Sequence, residues 1–154
     1  MPSASLSKPL SGTQYVALSE FRYQLRRFLR YMEEQARAKG HHPQQYQLLL
    51  AIKGLPESQN PTISRLAERM QMNHNSMVEL VGRCEKRGLL RRTRSNNDRR
   101  LVTLSVTAKG NLVLRQQAHA SRQELLNIGP LLVDSLQNLL DHRSVKTVRP
   151  ESRR

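Results

Sequence analysis

At Gly88 the apolar rhythm of this chain changes from a repeat of about 3.6 residues to one of about 2, and that switch constrains the fold more than any other feature. Before it, Met77, Leu80, Val81 and Cys84 fall at i, i+3, i+4 and i+7, one apolar stripe along a helix. A shorter helix precedes that one, with Leu66, Ala67 and Met70 at helical spacing and Ser64 placed to cap its first N–H groups. Gln71-Met72-Asn73 interrupts the pattern, and Asn73 is the expected N-cap of the next helix. Gly88 then stands where a helix end needs a positive φ. Beyond it, Leu89 to Thr93 and Leu101 to Val106 alternate as strands do, while Arg94-Ser95-Asn96-Asn97-Asp98-Arg99-Arg100 is rich in turn formers, so the pair is expected to form a β-hairpin.

Helix, tight turn, helix and hairpin between Ser64 and Lys109 make a winged helix-turn-helix, a mainly α fold with a small β wing. The rest of the chain is helical by pattern. From about Thr13 to Lys39 a stripe of Leu18, Phe21, Leu25, Phe28, Leu29, Met32 and Ala36 predicts a long amphipathic helix that needs a covering partner. Gly40 is its expected C-cap, and Pro43 suits the first turn of a helix running to about Lys53. Residues 54–61 form a loop by their Gly and Pro content, and Thr62-Ile63 could add a third strand to the wing. Thr107 is expected to cap a helix from Ala108 to Ile128, with Gly129-Pro130 breaking it before a last helix, Leu131 to Leu140. Residues 1–12 are expected to be a flexible arm and 142–154 a flexible basic tail.

Charge points to the partner. The 154 residues hold 26 Lys and Arg against 12 Asp and Glu, a formal net charge of +14. Such a surplus attracts polyanions, nucleic acid above all. Its placement is more telling: Arg83, Lys86, Arg87, Arg91, Arg92, Arg94, Arg99 and Arg100 are accompanied only by Glu85 and Asp98. A single cysteine allows no internal disulfide, which suits a reducing cytoplasm. The apolar run Leu48 to Ile52 is far too short for a membrane span, and the first dozen residues lack the apolar core of a secretory signal, so a soluble, cytoplasmic protein is expected. No Gly-x-Ser-x-Gly, Gly-rich phosphate loop or nucleophile-and-base set is present, so enzyme activity and cofactors are not expected. His41 and His42 with Glu33, Glu34 and His119 lack His-x3-His or Cys-x2-Cys spacing, so no metal site is expected. Cys84 lies in the apolar stripe and is read as a core residue.

The chain resembles the MarR (multiple antibiotic resistance regulator) family of transcription factors. The matching residues are Leu66-Ala67-Glu68-Arg69, Leu80-Val81-Gly82-Arg83, Glu85-Lys86-Arg87-Gly88-Leu89-Leu90-Arg91-Arg92, Asp98-Arg99-Arg100 and Leu104-Ser105-Val106-Thr107-Ala108-Lys109-Gly110, with Pro43 to Leu49 upstream. The resemblance covers roughly Thr13 to Leu140. It implies that 40–107 is a DNA-binding winged helix-turn-helix, that 13–39 and 108–141 form a helical dimerisation region, and that a homodimer binds a palindromic site on double-stranded DNA. It also implies a repressor relieved by a small aromatic carboxylate or phenolic effector, held between the dimerisation helices and the winged region. A DNA-binding protein without an effector, and a winged helix used as a protein-interaction module, are the alternative readings.

The expected DNA contacts follow from groove geometry. The start of a recognition helix reaches base edges in the major groove, which nominates His74, Asn75, Ser76 and Glu79. Asn75 suits adenine, and Glu79 could accept from cytosine. Where the family often has Thr and Arg, this chain has Val78 and Glu79. Arg65, Arg69, Arg83 and Arg92 are candidates for phosphate. In the wing, Asp98 and Arg100 match the family's Asp-x-Arg, in which the carboxylate orients an arginine at the DNA, with Arg94 and Arg99 flanking. Arg22, Tyr23, Arg26, His41, His42 and Tyr46 are the candidates for an anionic aromatic effector.

Overall fold

The computed structural model describes residues 9–94, 98 and 100–140. In order, the elements are α1 (Gly12–Ala38), α2 (Pro43–Lys53), α3 (Ile63–Arg69), α4 (His74–Lys86), β1 (Leu90–Arg94), β2 (Val102–Val106) and α5 (Ala108–Leu140). This is the expected class, mainly α with a two-stranded antiparallel wing. Most of the 1–12 arm, the 142–154 tail and the wing-tip residues 95–97 and 99 lie outside the described residues.

Local chemistry explains where the helices start and stop. Ser11 and Gln14 form a reciprocal capping box at the head of α1, with Ser11 N–H donating to Gln14 Oε1 at 2.8 Å. Three helices end in the same paired turn. At α1, His41 N–H reaches Ala36 O and Gly40 N–H reaches Arg37 O, both at 2.9 Å. At α4, Leu89 N–H reaches Cys84 O at 2.9 Å and Gly88 N–H reaches Glu85 O at 2.8 Å. Gly40 and Gly88 supply the required φ of +72° and +71°. The same turn after α3 is made without glycine: Gln71 takes φ +53°, and its side-chain amide donates to Glu68 O at 2.8 Å.

Three expectations are corrected. Thr62, not Ser64, caps α3, its hydroxyl accepting from Arg65 N–H at 3.3 Å. That cap commits Thr62 and Ile63 to the helix, so the expected third strand shrinks to one bond, Leu104 N–H to Pro61 O at 2.9 Å. The break at Gly129-Pro130 does not occur either, since α5 runs unbroken through Pro130 to Leu140. Proline removes one backbone donor, but Ile128 and Ser135 on either side are buried and hold the helix on course.

The core sits beneath the helix-turn-helix. Leu48 and Leu49 of α2, Leu66 of α3, Met77, Leu80, Val81 and Cys84 of α4, Leu89, and Leu90 and Leu104 of the wing are all buried. Met32 from the far end of α1 and Val113 and Leu114 from the start of α5 close this cluster. Beyond it, α1 and α5 lie along each other. The wing pairs Leu90 with Val106, Arg92 with Leu104 and Arg94 with Val102; Leu90 and Leu104 are buried while its arginines are exposed.

Candidate nucleic-acid interface

Burial of one face of α4 fixes what the other presents. With Met77, Leu80, Val81 and Cys84 turned into the core, the 100° advance per residue turns Asn75, Val78, Glu79, Gly82 and Lys86 outward. Asn73 serves as the cap, its Oδ1 accepting from Ser76 N–H at 2.8 Å, which leaves His74 and Asn75 exposed on the first turn. Ser76 is half-buried.

The arginines fall into two groups. Arg65 pairs with Glu68 at 2.9 Å, Arg92 with Glu85 at 3.3 Å and Arg83 with Glu79 at 4.0 Å. All three pairs are solvent-exposed and worth at most about 1 kcal/mol, so a phosphate can displace the carboxylate readily. Arg69, Arg94 and Arg100 are exposed and carry no ion pair among the described residues. Asp98 acts on the wing through the backbone: its Oδ1 accepts from Arg100 N–H at 2.9 Å while its carbonyl accepts from Leu101 N–H at 2.9 Å. The carboxylate thereby fixes the turn from which the Arg100 side chain departs. Arg99 lies outside the described residues.

The junction where the sequence placed the Thr107 cap also locks this surface to α5. Thr107 donates from Oγ1 to Gly88 O at 2.6 Å and accepts there from Gly110 N–H at 3.0 Å. Lys109 Nζ donates to Arg87 O at 2.8 Å, so a cation caps the negative end of α4. Arg87 in turn donates to Gln45 Oε1 at 2.7 Å and Gly40 O at 3.1 Å. Gly110 is obligatory, because a Cβ there would lie 2.0 Å from Leu89 O. The Thr-x-Lys-Gly motif is thus a clamp joining the end of the recognition helix to the start of α5.

The two glycines of this region differ. At Gly82 a Cβ would meet nothing within 4 Å, and φ is not positive. Glycine inside a helix costs about 0.5–1 kcal/mol relative to alanine, and no packing in this chain accounts for its presence.

The effector candidates are spread along α1, the turn after it and α2. Arg22, Tyr23 and Arg26 are exposed on α1, with the Arg27 guanidinium 5.8 Å over the Tyr23 ring. Tyr23 lies about 22 Å along the helix from Ala38, beyond which come His41 and His42. His42 caps α2 through Nδ1. Tyr46 is buried, which raises its phenol pKa, with a hydrogen bond to Ser121 acting the other way. Burial, then the charges of Arg87, Lys39 and Lys109, push the His41 imidazole below its ordinary 6.5. Buried polar atoms without partners among the described residues are His41 Nδ1 and both amide atoms of Gln117. An open groove of about 470 Å³ lies between the end of α2 and the start of α5, lined by Lys53, Ala108, Asn111, Leu112 and Arg115. None of these five was nominated as an effector contact from sequence; Lys53 lies four residues beyond Leu49 and Arg115 five beyond Gly110, outside the matching stretches. Burial pushes the Cys84 thiol up to about 11 against the lowering effect of Arg83 and Arg87. No group of three or more His, Cys, Asp or Glu among the described residues could hold a metal, and no described helix is long and apolar enough to cross a membrane.

Known proteins resemble this arrangement. Residues 40–101 match the MarR family model. The chain is 30% identical over 64 residues to the HTH-type transcriptional repressor MdtR of Bacillus subtilis, covering 42% of this chain and 41% of that one. It is 31% identical over 68 residues to the organic hydroperoxide resistance transcriptional regulator of the same organism, covering 44% and 46%. The match therefore spans less than half the length of these curated relatives. The structure of CouR from Rhodococcus jostii RHA1, solved bound to p-coumaroyl-CoA, superposes with a TM-score of 0.63 at 17% identity, covering 88% of this chain and 100% of that one. At that identity the likeness is one of fold.

Proposed function

We propose that this chain, a winged helix-turn-helix protein of the MarR family, is a transcription regulator that binds a palindromic double-stranded DNA site as a homodimer. One observation carries the reading: His74 and Asn75 at the polar start of α4, and Arg94 and Arg100 of the wing, are all exposed and available to a groove and its phosphates. The helix suits the major groove, and Arg94 and Arg100 suit the adjacent backbone or minor groove. Dimerisation rests on apolar side chains that α1 and α5 leave uncovered, Leu25 and Leu29 on one helix and Leu126, Val133 and Leu136 on the other.

The regulator is a repressor released by a small anionic aromatic ligand. Support comes from two similar proteins, the repressor MdtR and CouR solved bound to p-coumaroyl-CoA, and from His41 Nδ1 and the Gln117 amide atoms, which have no partner among the described residues and can bond a polar guest. Selection of duplexes from a random pool by the full-length protein tests the DNA reading. The expected product is an inverted repeat with half-sites about 10 bp apart. A pool that yields no consensus contradicts it.

A further inference from the structure

The outward face of α4 carries two residues whose chemistry nothing above has used. Val78, 37% exposed, stands one turn beyond His74 and Asn75, and Gly82 stands one turn beyond Val78. Between Asn73 and Gly82 the helix has neither Lys nor Arg. It therefore lacks, over its first two turns, the bidentate cation that most often reads guanine. Glu79 adds a negative charge on the same face, partly offset by Arg83 at 4.0 Å. A face so built is poorly suited to phosphates and must earn its specificity from base edges.

What an aliphatic side chain can recognise in the major groove is the C5-methyl group of thymine, the one apolar group on a base-pair edge there. Reaching it requires the helix to sit deep. Gly82 lies near the centre of the outward face and leaves its backbone bare, with open space where a side chain would be. Resting on the DNA-binding reading above, we propose that Val78 is a specificity-determining residue that packs on a thymine methyl in each half-site, and that Gly82 admits the helix to the depth this needs.

Deoxyuridine lacks only that methyl, so duplexes recovered by selection can be prepared with thymine or with uracil throughout. Wild-type protein is expected to bind the uracil duplex on the order of tenfold more weakly, from about four-fold for each buried methyl in two half-sites. Val78→Ala, on a solvent face, should melt as the wild type does and bind the two duplexes alike. Gly82→Ala should raise the melting temperature by a few degrees while weakening binding several-fold, a combination that a purely structural glycine cannot give. Wild-type protein that binds thymine and uracil duplexes equally overturns the proposal while the DNA-binding reading stands. Val78→Ala that keeps the full thymine preference overturns it too, since another residue then reads the methyl. Gly82→Ala with unchanged affinity removes the glycine's role. A wild type that retains no duplex at all overturns both this proposal and the reading beneath it.

Discussion

The winged head and the α1–α5 pair solve the burial problem in opposite ways. In the head, three short helices and a hairpin enclose Leu48, Leu49, Leu66, Met77, Leu80, Val81 and Leu104 with no more than 2% of any of them exposed. The pair, built from the two longest helices, leaves Leu25 at 39%, Leu29 at 48% and Leu126 at 57% exposed. Length supplies apolar surface, and two helices side by side cannot cover each other's outer stripes. One region is sealed, and the other leaves apolar surface that the proposed second copy would cover. The same contrast separates the two roles in the proposed dimer: the head's core and its Thr107–Gly110 clamp hold α4 in place, and the pair would set how far apart two such helices stand.

Substitutions that blur this contrast should have effects that fall in order. Leu80→Ala opens a cavity in the closed head and should cost about 4 kcal/mol, read as a loss of unfolding free energy in urea. An undiminished value would mean that the head is not the sealed unit described. Leu25→Asp strikes the open pair instead. The folded helical signal should survive, while sedimentation gives monomers and specific DNA binding drops at least a hundredfold, about 2.7 kcal/mol, because one head must then bind without the other. A fully active dimer would move the interface elsewhere. Arg100→Ala touches only recognition: specific affinity should fall by about 1–3 kcal/mol with the melting temperature unchanged. Should the protein unfold, Arg100 is structural.

The smallest effect is on pH. His41 has a folded-state pKa below its ordinary 6.5, first through burial and then through Arg87, Lys39 and Lys109. The unfolded chain therefore takes up this proton first as pH falls. Stability that is full above 6.5 is lost as pH drops through the lowered folded value. Melting scans between pH 7.5 and about 5 should show a smaller decline for His41→Gln than for wild type. Parallel declines would mean that another group governs the slope.

Much of this was legible from local chemistry. The α4 stripe, Asn73 as its cap, and Gly40 and Gly88 at helix ends all follow from rules spanning four residues, and each stands as the sequence suggested. Where the reading failed, a neighbour distant in sequence or a competing cap decided. Thr62 and Ser64 are both fair caps, and the bond from Leu104 to Pro61 O fixes the chain just ahead of Thr62. Pro130 signals a break locally, but packing along α1 outweighs one lost hydrogen bond. Gly110 reads as an unremarkable third residue of a helix until Leu89 is brought against it from the end of α4. The exposure of His74, Asn75 and Glu79 on α4 was legible because exposure on a helix follows from periodicity. The groove lined by Lys53, Ala108, Asn111, Leu112 and Arg115 was not legible because a pocket is made by tertiary juxtaposition, which no spacing along one helix reveals. The sequence marked Val78 only as a departure from the family pattern and gave Gly82 no role, because neither is polar; the exposure of Val78 and the open space at Gly82 come from the structure.

The most direct test of the central claim is a salt titration of binding to a selected duplex in the presence of random competitor DNA. With two heads each neutralising roughly four phosphates, log K should fall against log salt with a slope near about −7, and binding should survive the competitor. A slope shallower than about −3, or binding that the competitor removes at every salt concentration, would contradict a dimer reading DNA with two winged heads.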